Sequence, residues 1–385
     1  MTMRLLMFMP ALPPYRIDLF NALTARCDFR VVFLQENLRS QQFNQQRLQG
    51  KLVADHGYLR SGFTLKNRAI RLGVYGEMRR FRPDVVVTPE FSPTTWIVLT
   101  GRALAARPYA HVVGTDDNPA LVAGDSWFRA MSRALVLPRI DGLIVLSEGA
   151  ARMYRERYRI RAPVGIAPLL QNEVVFRERL ASATDEVQRI VIGYNLIGKR
   201  VLLFVGRLAP EKQVHRLIRA FEEIQQSFPD TILVLVGDGQ ERASLEGLAL
   251  ASGVGSKTIF VGRKEDNELC AWYRVAAVLA LPSSSERFGA VVNEALLAGI
   301  PVVCSNRAGA SGLIREGETG AIIDPANAHP LSAALREWIG RARPLAASQL
   351  NGLRPSLMAT NFTDAIERFL AVVVASTRTQ RADRR

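Results

Sequence analysis

The sequence has few cysteines and no long apolar run, and both absences narrow the class of protein. It contains three cysteines in 385 residues. Cys27, Cys270 and Cys304 are odd in number, widely spaced and surrounded by apolar residues, a pattern that disfavours disulfides and metal clusters. No apolar run approaches the roughly 20 residues that a bilayer-spanning helix requires. We therefore predict a cytoplasmic protein with reduced, buried thiols and no membrane span.

Acidic residues are scarce in one half of the chain. The net charge is +14. Residues 1–169 hold 24 basic and 13 acidic side chains, residues 170–375 hold 22 of each, and residues 376–385 hold four and one. A basic half favours an anionic membrane surface or acceptor, and a solvated arginine-rich face explains the charge equally well. No nucleic-acid recognition motif accompanies the charge, so we expect no nucleic acid as partner.

The length and the order of apolar segments indicate two α/β domains. With 385 residues, 48% of them apolar and 22% charged, the chain is too long for one ordinary core. The apolar residues 1–9 lack a small-residue cleavage site before Pro13 and Pro14, which favours a first buried strand over a signal sequence. Two domains imply a cleft between them.

Short apolar runs alternate with helical patterns along the whole chain. Strands are predicted at residues 5–9, 30–34, 84–88, 109–114, 142–146, 201–205, 231–236, 258–261, 278–281, 302–304 and 321–323. Ser147 is a good N-cap for a helix over 148–157, and a last helix is predicted at 362–375 before a tail that frays. The alternation predicts parallel sheets whose functional edge lies at the carboxyl ends of the strands.

The first site motif, Gly206-Arg207-Leu208-Ala209-Pro210-Glu211-Lys212, directly follows a predicted strand. The guanidinium of Arg207 and the ammonium of Lys212 can together neutralise a diphosphate without a metal. The alternative is that both are ordinary surface charges at a helix entry.

The second motif runs from Glu286 through Phe288-Gly289 to Glu294. It places two acids around a glycine at the entry of a helix, where backbone N–H groups are exposed. A carboxylate at Glu294 can accept two hydrogen bonds from the vicinal hydroxyls of a ribose, and Glu286 can hold sugar hydroxyls. Either acid alone would more simply complement the helix dipole, but the pair at this spacing favours a site.

Two further turns end strands on the same side. Gly237-Asp238-Gly239 fails as a nicotinamide dinucleotide fingerprint because position 242 is Arg where a third glycine is needed. Arg263 follows the next strand, where it can stack on a nucleobase or remain an exposed arginine on a turn.

In the N-terminal half, Asp116 and Asp117 end a predicted strand and can hold a hydroxyl of a bound ligand or form a plain Asx turn. Tyr15 and Arg16 lie in the loop after the first strand. His111 falls inside a predicted strand, so we assign it no catalytic role.

An apolar stripe with interspersed arginines occupies residues 127–136. It contains Trp127, Phe128, Met131, Leu135 and Val136. It fits an amphipathic helix resting on lipid. We prefer a core helix, because aromatic stripes are usually buried.

The two site motifs and the Gly-Asp-Gly turn, in this order over about residues 200–325, resemble the signature of retaining GT-B glycosyltransferases of family 4. The N-terminal half matches only in its rhythm of strands and helices. Pro13-Pro14 replaces a double glycine common in that family, so donor-phosphate contacts from this loop are not expected, and Gln213 stands where glycine or asparagine is frequent.

The resemblance implies an α/β fold of two Rossmann-like parallel-sheet domains that face each other across a cleft. Residues 1–170 would form the acceptor side and 171–360 the donor side. Residues 361–385 would form a helix that returns to the N-terminal domain, followed by a basic tail.

The resemblance also implies the chemistry: transfer of a sugar from a nucleotide diphosphate sugar with retention of configuration, without a metal or another cofactor. The implied catalytic residues are Arg207, Lys212 and Glu286. The implied donor-binding residues are Gly206, Gly237, Asp238, Arg263, Phe288, Gly289 and Glu294. The acceptor-side candidates are Tyr15, Arg16, Asp116 and Asp117.

The acceptor implied is a glycan or a lipid-linked glycan, with the enzyme cytoplasmic or peripheral on the inner face of a membrane. Two alternatives stay open: a sugar-nucleotide epimerase of the same fold, and a nucleotide-binding protein without turnover.

Overall fold

The computed structural model describes residues 2–37, 43–65, 68–102, 108–327 and 329–382. The chain divides into two compact units. Unit 1 comprises Met1–Leu170 with Phe362–Arg385, and unit 2 comprises Gln171–Asn361. Each unit is built around a parallel sheet with helices packed against it, which confirms the predicted α/β class.

The sheet of unit 1 has seven strands within the described residues, in the order β3-β2-β1-β6-β7-β8-β9, and all its pairs are parallel. Its strands are β1 (Arg4–Met9), β2 (Asp28–Phe33), β3 (Asp55–Tyr58), β6 (Val85–Pro89), β7 (Ala110–Gly114), β8 (Gly142–Val145) and β9 (Val164–Ile166). A separate antiparallel hairpin joins β4 (Gly62–Leu65) to β5 (Arg68–Arg71). β3, β9 and the hairpin were not predicted, because their short segments carry little apolar periodicity.

The helices of unit 1 connect these strands. They are α1 (Ile17–Thr24), α2 (Gln45–Gln49), α3 (Val74–Phe81), α4 (Pro93–Gly101), α5 (Pro119–Ala123), α6 (Trp127–Val136) and α7 (Glu148–Glu156). α1 buries Ile17, Phe20 and Leu23 on one face. The Ser147 side chain accepts a hydrogen bond from the backbone N–H of Ala150 at 3.2 Å, so the predicted N-cap of α7 is confirmed.

The sheet of unit 2 has the order β12-β11-β10-β13-β14-β15. Its strands are β10 (Arg200–Val205), β11 (Thr231–Val236), β12 (Thr258–Gly262), β13 (Ala276–Leu281), β14 (Val302–Ser305) and β15 (Gly320–Ile323). Successive strands add on one side of β10 and then on the other. The carboxyl ends of β10 and β13 therefore border a topological switch point, the usual place for a ligand in such a sheet.

Seven helices of unit 2 flank this sheet within the described residues. They are α8 (Glu173–Ser182), α9 (Thr184–Gly193), α10 (Val214–Ser227), α11 (Arg242–Ala251), α12 (Asp266–Val275), α13 (Ala290–Leu297) and α14 (His329–Arg341). α10 buries Val214, Leu217, Ile218, Phe221 and Ile224, which lie on one face of the helix.

The last helix, α15 (Phe362–Ala382), packs on β7, β8 and β9 of unit 1. A Cβ at Gly165 would lie 2.1 Å from Cγ2 of Val372, so α15 approaches the sheet more closely than any side chain at position 165 would allow. The helix does not end at the predicted residue 375, because it continues to Ala382. The buried Ser376 hydroxyl donates to the Val373 carbonyl at 2.7 Å within that extension.

The three cysteines are buried and unpaired, as predicted. Burial raises the pKa of the Cys27 thiol to about 11. Among the described residues, no helix has the length and apolar character needed to cross a bilayer.

The preference for a buried apolar stripe on α6 is wrong. Trp127, Phe128, Met131 and Leu135 are exposed, and of the predicted stripe only Val136 is buried, on the side that also buries Arg133. The reason is electrostatic: Arg133 pairs with carboxylates inside unit 1, so the helix turns the side that carries Arg133 inward, while Arg129 stays half exposed.

Candidate active site

The loop after β10 and the turn after β11 are joined backbone to backbone. The N–H of Gly206 donates to the carbonyl of Val236 at 2.9 Å, and that of Leu208 donates to the carbonyl of Asp238 at 2.9 Å. A Cβ at Gly237, whose φ is +140°, would lie 1.8 Å from the Gly206 carbonyl oxygen, and one at Gly239 would lie 2.2 Å from that of Leu208. These two glycines therefore let the two loops meet.

A second contact ties the loop after β10 to the loop after β13. The N–H of Ser284 donates to the carbonyl of Glu211 at 2.9 Å, and its hydroxyl donates to the same oxygen at 3.2 Å. Lys212 and Glu286, 74 positions apart, form an ion pair between largely buried side chains. Arg207 is half exposed and pairs with Glu211 at 2.6 Å. The structure thus brings Lys212 and Glu286 into contact at the switch point and leaves Arg207 at its rim.

The start of α13 depends on Gly289, which is the N-cap with φ +92°. A Cβ there would lie 2.9 Å from Cδ2 of Leu281. The Phe288 side chain is buried, so it anchors the loop, and its carbonyl accepts a hydrogen bond from the N–H of Ala310 at 2.7 Å. α13 begins at Ala290, four positions after Glu286, and a helix N-terminus attracts anions.

Glu294 lies one turn into α13 and is held by two side chains from other segments. Its Oε2 accepts from the Tyr273 hydroxyl at 2.7 Å, and its Oε1 accepts from the Gln171 side-chain amide at 3.1 Å. Arg179 donates in turn to Oε1 of Gln171 at 2.9 Å. Burial raises the pKa of Glu294, and the hydrogen bond from Tyr273, the Arg179 charge and the hydrogen bond from Gln171 oppose that rise. The carboxylate is therefore held in one orientation.

Two predicted donor residues lie on exposed turns and form local ion pairs. Arg263 pairs with Glu265 at 2.6 Å. Asp238 accepts from the N–H of Gly239 at 2.8 Å and from Arg242 at 3.1 Å. Both turns follow the carboxyl ends of strands, as the loop of Lys212 does. Their contacts with a nucleotide remain predictions.

Two of the acceptor-side candidates meet in unit 1. Nη2 of Arg16 lies 2.6 Å from Oδ1 of Asp116, which joins the loop after β1 to the loop after β7. Tyr15 lies beside Arg16 in the 3₁₀ turn Pro14–Arg16.

Asp117, the fourth candidate, is part of an internal charge network. Its Oδ2 accepts from Nη2 of Arg133 at 2.9 Å and from the Tyr154 hydroxyl at 2.6 Å. Arg133 also pairs with Asp125. Burial raises the pKa of Tyr154 well above its usual range, and the neighbouring Asp117 carboxylate adds to that rise. Such a network favours a structural role for Asp117.

His111 is fully buried in β7, which agrees with assigning it no catalytic role. Its Nε2 lies 2.8 Å from the Thr88 hydroxyl, and its Nδ1 has no hydrogen-bond partner among the described residues. Burial, and to a smaller extent the charge of Arg102, lowers its pKa to about 3.

Sequence patterns missed Tyr273, Gln171 and Arg179 as neighbours of Glu294. Tyr273 lies on the buried face of α12, where an aromatic residue is ordinary core. Gln171 is the first residue of unit 2, and no motif includes it. Within the described ranges, no three His, Cys, Asp or Glu side chains are grouped as a metal site requires, and metal independence stays a prediction.

Each of the two units matches a known protein-family model. The family model for glycosyl transferases group 1 matches residues 194–347, and the model for a glycosyl transferase 4-like domain matches residues 14–169. A glycogen synthase of Mycobacterium tuberculosis is 30% identical over 316 residues, which cover 80% of this chain and 70% of that protein.

A second sequence relative and a solved structure are also similar to this chain. A GDP-mannose-dependent alpha-(1-6)-phosphatidylinositol monomannoside mannosyltransferase of Mycolicibacterium smegmatis is 30% identical over 182 residues, covering 46% of this chain and 48% of that protein. The structure of Anabaena HepE in complex with UDP superposes with a TM-score of 0.69 over 99% of both chains at 17% identity, a likeness that shows the fold. The chain belongs to the glycosyl transferases group 1 family and is a glycosyltransferase with the GT-B fold.

Proposed function

We propose that this glycosyltransferase moves a sugar from a nucleotide diphosphate sugar to a glycan or lipid-linked acceptor, with retention of configuration and without a metal, in polysaccharide or glycoconjugate biosynthesis. The observation that carries the proposal is the Lys212–Glu286 pair at the switch point beside the N-terminus of α13. It supplies a cation for a diphosphate and a carboxylate for sugar hydroxyls in one place.

In the proposed reaction the bond between the anomeric carbon and the diphosphate oxygen breaks, and the acceptor oxygen forms the new bond on the same face. The acceptor proton passes to a phosphate oxygen of the departing nucleotide diphosphate, so no protein base is needed. Lys212 and Arg207 neutralise the charge that develops on the diphosphate. The first-turn amides of α13 add a positive dipole, and Glu286 holds donor-sugar hydroxyls.

The nucleoside is assigned to Glu294. Its two oxygens already accept from Tyr273 and Gln171, and each carboxylate oxygen retains a second lone pair for one hydroxyl of a ribose diol. Gly206, Gly237, Asp238 and Arg263 lie on the loops that end β10, β11 and β12, where they would border the base and the phosphates. The Phe288 side chain is buried, so this residue would contact the donor only through its backbone.

On the acceptor side we propose Tyr15, Arg16 and Asp116, which lie on two neighbouring loops of unit 1. The Arg16–Asp116 contact offers both a donor and an acceptor of hydrogen bonds to a sugar. The basic excess of residues 1–169 supports an anionic or membrane-borne acceptor.

A thermal-shift screen against UDP, GDP, ADP and TDP, followed by incubation with the matching nucleotide sugars, tests the proposal. We expect one nucleotide diphosphate to raise Tm and its sugar conjugate to be consumed, also in the presence of a chelator. NMR of the product should show the donor's anomeric configuration. An inverted product would contradict retention, and loss of turnover with chelator would contradict metal independence.

The same incubation separates the alternatives. An epimerase would change the donor sugar with no acceptor present. For a nucleotide-binding protein without turnover, nucleotide diphosphate would raise Tm and the donor would remain intact.

A further inference from the structure

α6 presents its apolar side to solvent. Trp127 is 75% exposed, Phe128 52%, Met131 41% and Leu135 42%. Positions 127, 131 and 135 recur every four residues, so they lie along one side of the helix, and Phe128 is adjacent to Trp127. We call these four residues the α6 apolar face.

The opposite side of α6 explains this orientation. There Arg133 is buried and is held by Asp117 and Asp125, and the Trp96 indole N–H donates to the Ser132 hydroxyl at 3.2 Å. Turning the apolar side inward would move Arg133 to solvent and leave the buried carboxylates of Asp117 and Asp125 without their cation. The exposure of the α6 apolar face is therefore set by the buried ion pairs and is not a loosely packed surface.

Basic groups border this face. Arg129, itself half exposed, pairs with Asp125 at 3.1 Å. At the other end of the helix Nη1 of Arg139 donates to the Leu135 carbonyl at 2.5 Å. Nη1 of Arg102 donates to the Arg139 carbonyl at 3.1 Å, and Nη2 of Arg102 pairs with the buried Asp141 at 2.9 Å. Clustered arginines beside exposed aromatic side chains are the combination that binds anionic lipid headgroups.

We propose that the α6 apolar face inserts into the interfacial layer of an anionic membrane, with α6 parallel to the surface. The ten-residue helix is about 15 Å long, too short to span a bilayer. A second copy of the chain is disfavoured as the partner that covers this face. Residues 1–169 carry 11 more basic than acidic side chains and would repel the same residues of another copy. The proposal deepens the proposed function by naming the surface on which a lipid-linked acceptor is met, and its test requires no turnover.

Flotation of the full chain with phosphatidylcholine vesicles, with and without phosphatidylglycerol, tests the proposal. We expect binding to the anionic vesicles that weakens as salt is added. The triple substitution Trp127→Ala, Phe128→Ala and Met131→Ala should lower the partition coefficient by about tenfold or more, since alanine keeps the helix and removes the apolar area. Leu250→Ala is the matched control, because Leu250 is 72% exposed on α11 of unit 2 and its loss should leave flotation unchanged.

Tryptophan fluorescence provides a local readout. Of the four tryptophans, all of which lie in the described residues, Trp127 is the exposed one; Trp96 is half-buried, and Trp272 and Trp338 are buried. Anionic vesicles should shift its emission to the blue, and Trp127→Phe should remove that shift while flotation is kept.

Three outcomes would overturn the proposal. The first is absence of flotation with anionic vesicles. The second is equal flotation of the triple variant and the Leu250→Ala control. The third is a concentration-dependent dimer that the triple variant abolishes while vesicles are not bound. Because nucleotide binding and donor turnover are measured without membranes, failure here leaves the proposed transferase function standing, and failure of turnover leaves membrane binding measurable.

Discussion

The Tyr273 hydroxyl donates a 2.7 Å hydrogen bond to Oε2 of Glu294, and this contact joins α12 to α13 beneath the candidate nucleoside site. Glu294 is also held through Oε1 by Gln171. A carboxylate that accepts from two fixed donors keeps a single rotamer, so Tyr273 acts as a positioning residue for Glu294.

Tyr273→Phe should weaken nucleotide diphosphate binding by about fivefold to tenfold, the value of one hydrogen bond of about 1 to 1.4 kcal/mol. The ring and its contact with Phe176 are kept. Since the lost hydrogen bond opposes the raised pKa of Glu294, the variant should lose more affinity than the wild type as the pH falls. Calorimetry at two pH values measures both effects.

Tyr194→Phe, on a partly exposed ring against Trp272, is the control for that variant. A loss of affinity that is equal at both pH values and accompanied by a lower Tm would instead indicate a purely structural role for Tyr273.

Lys212→Ala should lower kcat by about a hundredfold or more, because one preorganised charge opposite the leaving group is removed. Steady-state kinetics with the cognate donor gives kcat, and Tm should change by only a few degrees. Lys257→Ala is the control. Lys257 lies at the amino end of β12, whereas Lys212 follows the carboxyl end of β10, so the two lysines lie at opposite ends of the parallel strands. Equal losses of activity and stability would assign Lys212 a structural role.

Gly237→Ala should destabilise the protein by about 2 to 4 kcal/mol, because the new Cβ meets the Gly206 carbonyl at a φ that side chains avoid. Gly247→Ala is the matched comparison. Gly247 lies in the middle of α11 with no atom within 4 Å of the added Cβ, so alanine there should stabilise by about 0.5 to 1 kcal/mol. Urea unfolding of the two variants should give changes of opposite sign.

Stability should fall as the pH is lowered from about 6.5, and His111 should cause part of that fall. The folded protein holds the pKa of His111 at about 3, whereas the unfolded chain takes up the proton near 6.5. The unfolded state therefore binds more protons between these values, and stability is lost as the pH falls. Between pH 6.5 and 5 the loss from this group is about 2 kcal/mol.

His111→Gln removes this titration while leaving a polar group that faces Thr88. Urea unfolding at the two pH values should show a smaller fall for the variant. An identical fall in both proteins would mean that other groups carry the pH dependence.

Several elements could be predicted from the sequence because their signals are local. Residues 231–236 are a continuous apolar run between turn residues, and the observed strand Thr231–Val236 has the same bounds. Ser147 was recognised as a cap from its place between a strand and a helical pattern. The two site motifs were found because each is contiguous and follows a strand.

Other features could not be predicted, because they depend on partners that are distant in the chain. The periodicity of α6 defines two sides without saying which is buried, and that choice depends on Asp117 and Asp125 meeting Arg133 inside unit 1. Tyr273 resembles any buried helix residue until α13 places Glu294 against its hydroxyl.

The sequence by itself determined the α/β alternation, the order of the motifs and the basic character of residues 1–169, because periodicity, turn residues and charge are properties of neighbouring positions. Only the tertiary structure decided that Lys212 meets Glu286, that Glu294 is held by Tyr273 and Gln171, and that the aromatic side of α6 points outward. The two contacts join segments that the strand order of a parallel sheet brings together, and the orientation of α6 follows from burial of the Arg133 charge. Both are settled by the free energy of the whole domain and not by any single segment.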